Sequence, residues 1–290
     1  MPMPKNIGVI DTMLDLPSPK QKGWVNQFAS LFHDKESKEG AFHHPAGFLF
    51  KDPVKAERGS DPIGDTLREM DKHNIEYALC HVNDEVTVEA ITKHKDRFGG
   101  SVYLDMNGGM DTVRNLVRAY EQWGVKAATF FPSGQTPPVP INDKRAYPVY
   151  AKCIELDIPI FVNGGVPGPR MPMDAQYVGY VDEVCWFFPE LKFVFRHGCE
   201  PWTELAVKML LKWPNLYYST SAFAPKHFPK DIINYANTRG ADKIIYAGYY
   251  PSGLSLDRSF SELPDVPFRD HVWPKFLREN AIKVLKLDKK

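Results

Sequence analysis

The feature that most constrains this chain is a recurrence. Short runs of β-branched and aromatic residues, bounded by turn residues, appear at 7–13, 75–82, 98–106, 125–132, 158–165, 191–198, 215–222 and 243–250. Most are apolar on both faces, the pattern of parallel strands. Between them lie helix-like stretches near 63–74, 86–96, 110–123, 143–157, 176–188, 203–213, 229–239 and 268–287; in the third, Val113, Leu116, Val117 and Tyr120 recur at helical spacing. From the second run onward the interval is about 23 to 33 residues, enough for one strand, one helix and two short loops. Eight such units close a (β/α)8 TIM barrel. An open doubly wound sheet fits less well, because the first run ends in Asp11-Thr12-Met13-Leu14-Asp15 and not in a glycine-rich phosphate turn. The expectation is therefore an α/β barrel forming a single domain over 1–290. A long insertion after strand one, about 16–61, covers its mouth.

Charge and composition narrow the function. Thirty-six basic and 36 acidic residues cancel, so no global field draws nucleic acid or an anionic membrane. No run approaches the roughly 18 apolar residues of a membrane span, and no signal-peptide core is visible, so a cytoplasmic protein is expected. Cys80, Cys153, Cys185 and Cys199 are scattered in or beside apolar runs, which predicts reduced core thiols without a disulfide or zinc knuckle. Phosphate-loop, dinucleotide-loop, zincin and nucleophile-elbow signatures are all missing.

In a barrel of this kind, chemistry sits at the C-terminal ends of the strands. Those ends offer Asp11, Met13 and Asp15, then His81, then Asp105 and Asn107, then Ser133. The second half of the chain offers Asn163, His197, Ser219, Ser221 and Tyr249. The loop after strand five adds Arg170, a cation suited to a substrate carboxylate, and the insertion adds His43 and His44 as candidate substrate contacts.

Several stretches, in order, carry a family resemblance. They are Val9-Ile10-Asp11, Gly124-Val125-Lys126-Ala127-Ala128, Pro189 to Val194 running into His197-Gly198, Pro201-Trp202, Tyr246 to Pro251, and Phe276 to Ala281. Over nearly its whole length the chain resembles the amidohydrolase-related superfamily, in the branch that holds the aminocarboxymuconate semialdehyde decarboxylases. The resemblance implies a hydrolase or decarboxylase-type lyase in which His197 moves a proton. It also exposes departures. The family's His-x-His on strand one is Met13-Leu14-Asp15 here, its strand-five histidine is Asn163, and its strand-eight aspartate is Tyr249. A thioether, an amide oxygen and a phenol are poor zinc donors, so no cofactor is expected; a divalent metal such as zinc in a shifted site using Asp15, Asp105 or His197 is the alternative.

The expected machinery is accordingly His197, Tyr249 and Asp15 as catalytic groups, with Asp15 orienting His197 or activating water. Asn163, Met13, Arg170, His44 and Ser221 contact a small carbonyl, carboxylate or lactone substrate. Hydrolysis and C–C cleavage both fit. A metal-dependent enzyme with a rearranged site and a non-catalytic ligand-binding barrel are the competing readings. A homodimer is expected from the family and from the aromatic segment around Phe268, Trp273 and Phe276.

Overall fold

Eight parallel strands pair in chain order in the computed structural model, which describes residues 3–17, 28–39, 47–48 and 59–288. They are β1 (Val9–Asp11), β2 (Ile75–His81), β3 (Phe98–Tyr103), β4 (Ala127–Phe130), β5 (Ile160–Asn163), β6 (Phe193–Arg196), β7 (Leu216–Ser219) and β8 (Ile244–Ile245). The last strand returns to the first. Thr12 N–H donates to Tyr246 O (3.2 Å), Gly248 N–H to the Asp11 carboxylate (2.9 Å) and Asp15 N–H to Tyr250 O (2.9 Å), which closes the ring into a TIM barrel. Every predicted run contains a strand, but the ladders are shorter than the runs, and β8 keeps only two paired residues. Hydrophobicity marks what is buried, and burial continues past the point where the backbone ladder ends.

The α-helices are α1 (Lys35–Lys38), α2 (Pro62–Lys72), α3 (Glu85–Lys93), α4 (Met110–Trp123), α5 (Tyr147–Glu155), α6 (Val181–Phe187), α7 (Thr203–Lys212), α8 (Lys230–Tyr235), α9 (Leu256–Glu262) and α10 (Asn280–Leu285). α4 shows why the pattern is readable: Val113, Leu116 and Ala119 are buried on one stripe, and Gly124 ends the helix in the left-handed region. Tyr120, which its spacing places on that stripe, is exposed instead. α9 has no counterpart among the helical stretches expected from the sequence. It begins at Ser255, whose hydroxyl caps Arg258 N, after β8.

Side-chain alternation divides the core into two shells. Ile10, Tyr77, Leu79, Ala127, Phe161, Val194, Tyr217 and Ile245 fill the lumen, joined by Ala281, Val284 and Leu285 of α10. Arg278, just before α10, bonds Glu76 at the start of β2 (2.9 Å), so this helix plugs the N-terminal end and leaves the opposite end as the mouth. The larger shell packs strands against helices. Phe268, Trp273 and Phe276 belong to it, all buried and in ring contact with one another, so these three rings pack within their own barrel. The four cysteines are separate buried thiols. Among the described residues no helix is long and apolar enough to cross a membrane.

Part of the insertion touches the mouth side. The Phe28 ring meets Phe131, just past β4, edge-on at 5.4 Å, and Arg170 Nη1 donates to Asp34 (3.0 Å) and Glu36 (2.6 Å) around α1. Arg170 therefore ties the loop after β5 to the insertion; its expected role as a substrate contact is replaced by two carboxylates of its own chain. His43 and His44 lie outside the described residues.

Candidate active site at the barrel mouth

The end of β6 sets the geometry. Val194 faces the lumen, so the pleat also turns Arg196 inward, and continuing it would turn His197 outward beside Phe195. It does not continue. His197, Gly198 and Cys199 have φ of +65°, +86° and +62°, three successive residues in the left-handed region. The two that carry a Cβ each cost about 1–2 kcal/mol there. The reversal brings the His197 ring to Tyr249 (centroids 5.7 Å apart, edge-on) and its Nδ1 to Ser221 Oγ (3.2 Å). Ser221 Oγ also accepts the His197 backbone N–H (3.2 Å). The hydroxyl keeps its hydrogen and a second lone pair for Nδ1, so Ser221 holds the ring in place in either tautomer. Neighbouring loops hold the turn. Gly165, at φ +89°, lies so close that a Cβ there would stand 2.5 Å from Glu200 O, and Val166 N–H bonds that same carbonyl at 2.8 Å.

Arg196 is the residue that reasoning from the sequence missed. Its guanidinium is 1% exposed and sits 4.7 Å above the Phe161 ring. Nη1 donates to His81 Nε2 (3.0 Å) and Thr129 Oγ1 (3.4 Å), and Nη2 to Thr12 O (3.3 Å). His81 must therefore carry its proton on Nδ1, which faces both oxygens of Asp15 at 3.1–3.2 Å. Asp15 also accepts the His81 backbone N–H (2.8 Å). The result is a chain of carboxylate, imidazole and guanidinium across β1, β2 and β6. Burial would raise the Asp15 carboxyl, but His81, through its field and its hydrogen bonds, and Arg196 outweigh it and hold the group below the usual carboxylate range. Burial also pulls Arg196 down to about 10, so it stays cationic at neutral pH. The signal was present in the sequence: a charged residue in the inward phase of an otherwise apolar strand.

The expected site residues thus separate. His197 meets both Ser221 and Tyr249. Asp15 does not orient His197, because His81 occupies it. Met13 is nearly buried, its N–H donating to Asp11 (2.9 Å). Asn163 is half-buried and pairs in register with Arg196 on the next strand. Asp11 is fully buried: burial pushes its carboxyl up to about 7 against the N–H groups of Gly248 and Met13. Burial likewise pushes the Tyr249 phenol up to about 12, so it is a neutral donor at pH 7.

Among the described residues, the donors at the mouth do not fit a divalent ion. Asp15 is committed to His81, Tyr249 keeps its proton, Met13 and Asn163 are weak donors, and a buried guanidinium already supplies positive charge in the same layer. Asp105, the other carboxylate of a shifted site, is exposed and caps Asn107 N. Among the described residues, the group of three donors within ligating distance is Glu69, His73 and Asp257, on the outside of the barrel where Lys72 already pairs with Asp257 at 2.6 Å.

A family model described as amidohydrolase matches residues 49–287. The chain belongs to the amidohydrolase family. Solved structures share the barrel over nearly full length. A TIM-barrel protein of Bordetella bronchiseptica, Bb4693, is 21% identical at a TM-score of 0.72, covering 97% of this chain and 99% of its own. A 2,6-dihydroxybenzoate decarboxylase complexed with 2,6-dihydroxybenzoate is 16% identical at 0.67, covering 97% and 100%. The 5-carboxyvanillate decarboxylase of Novosphingobium aromaticivorans, solved with manganese and 4-hydroxy-3-methoxy-5-nitrobenzoic acid, is 16% identical at 0.67, covering 98% and 97%. No curated protein matches the chain.

Proposed function

We propose that this amidohydrolase-family chain is an enzyme that works without a catalytic metal, using acid–base chemistry to hydrolyse, or to cleave a C–C bond in, a small carbonyl, carboxylate or lactone substrate. The observation that carries this reading is the composition of the mouth. A histidine whose ring is held by Ser221 stands beside a neutral phenol, at the end of the strand that carries a buried guanidinium, charged at neutral pH.

Each group has a task that its environment favours. His197, its ring held by Ser221, is the proton-transfer group: as the imidazolium it gives a proton to the carbon that loses CO2 or to the oxygen that leaves in hydrolysis, and returns to the neutral ring. Tyr249 donates its phenolic hydrogen to the oxygen where negative charge develops. Asn163 offers its amide to the substrate. Arg196 supplies the positive charge that favours an electron-rich intermediate, and His81 and Asp15 fix its orientation.

A metal-dependent reading draws support from the manganese in the N. aromaticivorans decarboxylase. Elemental analysis of protein purified without chelator separates the two. The metal-free reading expects no stoichiometric zinc or manganese. It also expects unchanged turnover after chelator treatment, assayed on a panel of hydroxybenzoates, other aromatic acids and lactones. Activity that vanishes with chelator and returns with one equivalent of manganese refutes it.

A further inference from the structure

Arg196 is costly for a barrel that needs only to stand up. A buried ion network is frequently matched in stability by apolar residues of similar volume, and an unpaired buried N–H is a net loss. Arg196 carries such a loss: Nε is buried and has no hydrogen-bond partner among the described residues. The donors that are satisfied go to His81, Thr129 and Thr12, none of them an anion. Asp15 reaches the guanidinium only through His81, so no carboxylate of the described residues pairs with it directly.

Asn163 stands next to it. Asn163 and Arg196 are register partners on β5 and β6, and both follow lumen-facing residues, Phe161 and Val194, at a spacing of two. The Asn163 amide makes no hydrogen bond among the described residues and is half-buried, whereas Arg196 is closed off below it. An amide without a hydrogen-bond partner among the described residues and the unpaired Nε–H of Arg196 therefore belong to register partners on neighbouring strands.

Resting on the reading of this mouth as a metal-free active site, we infer that Arg196 and Asn163 form an anion anchor that holds a carboxylate of the substrate. The burial of Arg196 restricts the ligand. The donor left unpaired is one N–H of a planar fork, which suits a planar carboxylate. The substrate class is thus a small organic acid whose carboxylate points down the barrel axis, with its reacting carbon above, level with His197 and Tyr249.

The test is binding, not turnover, so that it stands apart from the acid–base reading. Chelator-treated full-length protein is titrated with benzoate and with benzamide, its neutral isostere, by ligand-observed NMR. Wild type is expected to bind benzoate at least tenfold more tightly than benzamide. Arg196→Met should abolish that preference, and Asn163→Ala should reduce it several-fold. Asn163→Ala removes a half-buried side chain without hydrogen-bond partners among the described residues, and it keeps the test decisive if Arg196→Met does not fold. Equal affinity for the two probes, no binding of benzoate, or an undiminished preference in Asn163→Ala overturns the anchor. Any of these results leaves the His197 chemistry to its own assay.

Discussion

Replacing Asp11 with asparagine isolates the energetic cost of one buried carboxylate. Asp11 receives N–H groups from Met13 and Gly248 at 2.9 Å, but its second oxygen is buried without a partner among the described residues. Its carboxyl is raised from 3.8 to about 7, chiefly by burial. A raised folded-state pKa favours the folded protein while the group is protonated. That contribution is complete below pH 3.8 and is lost as pH climbs to about 7. At about 1.36 kcal/mol per pH unit, full ionisation costs the folded state on the order of 4 kcal/mol, of which roughly 3 kcal/mol falls between pH 5 and pH 8. The asparagine side chain keeps an oxygen for both N–H donors and cannot ionise. Its NH2 group, unpaired in the place of Oδ2, adds a constant offset of about 1–3 kcal/mol at every pH. The informative quantity is therefore the change with pH. Urea unfolding of wild type and Asp11→Asn, followed by tryptophan fluorescence, should show wild type losing roughly 3 kcal/mol relative to the variant between pH 5 and pH 8. Parallel stability curves over that range would refute the account of Asp11 as a carboxylate destabilised by burial.

Other outcomes follow from the same geometry. His197→Ala should abolish turnover, and Tyr249→Phe should lower kcat by about 10²-fold if its phenol carries the developing charge; steady-state rates on any substrate found in the panel decide both. Added manganese or zinc should leave wild-type rates unchanged if, as proposed, the enzyme works without a metal. Gly165→Ala should destabilise the barrel by more than about 1 kcal/mol, since it adds a left-handed penalty to a Cβ within 2.5 Å of Glu200 O, and a thermal melt reads the loss directly.

Much of this molecule is legible without coordinates. Buried parallel strands are apolar on both faces, and the helices between them carry a one-sided stripe, so order and type follow from periodicity alone. The departures at Met13, Asn163 and Tyr249 are equally visible, because donor chemistry belongs to residue type. The sequence also points to His197, Ser221 and Tyr249 as strand-end groups, and these meet.

What the chain does not disclose is pairing. Strand-end position offers Asp15 to His197, yet His81 takes it, because β2 is the hydrogen-bonded neighbour of β1 while β6 lies across the lumen. Arg170 has the chemistry of a substrate contact and is spent on Asp34 and Glu36, 136 and 134 residues away in sequence. Arg196 reads in sequence as one more charge beside a histidine; only closure of the barrel sets it over Phe161, links it to His81 and seals it from water. Residue type and spacing determine which groups a strand presents and to which side. Which of them share a lumen, which partner each one meets and how far water is excluded arise from long-range closure of the sheet, and those are the quantities that set charge state and chemistry.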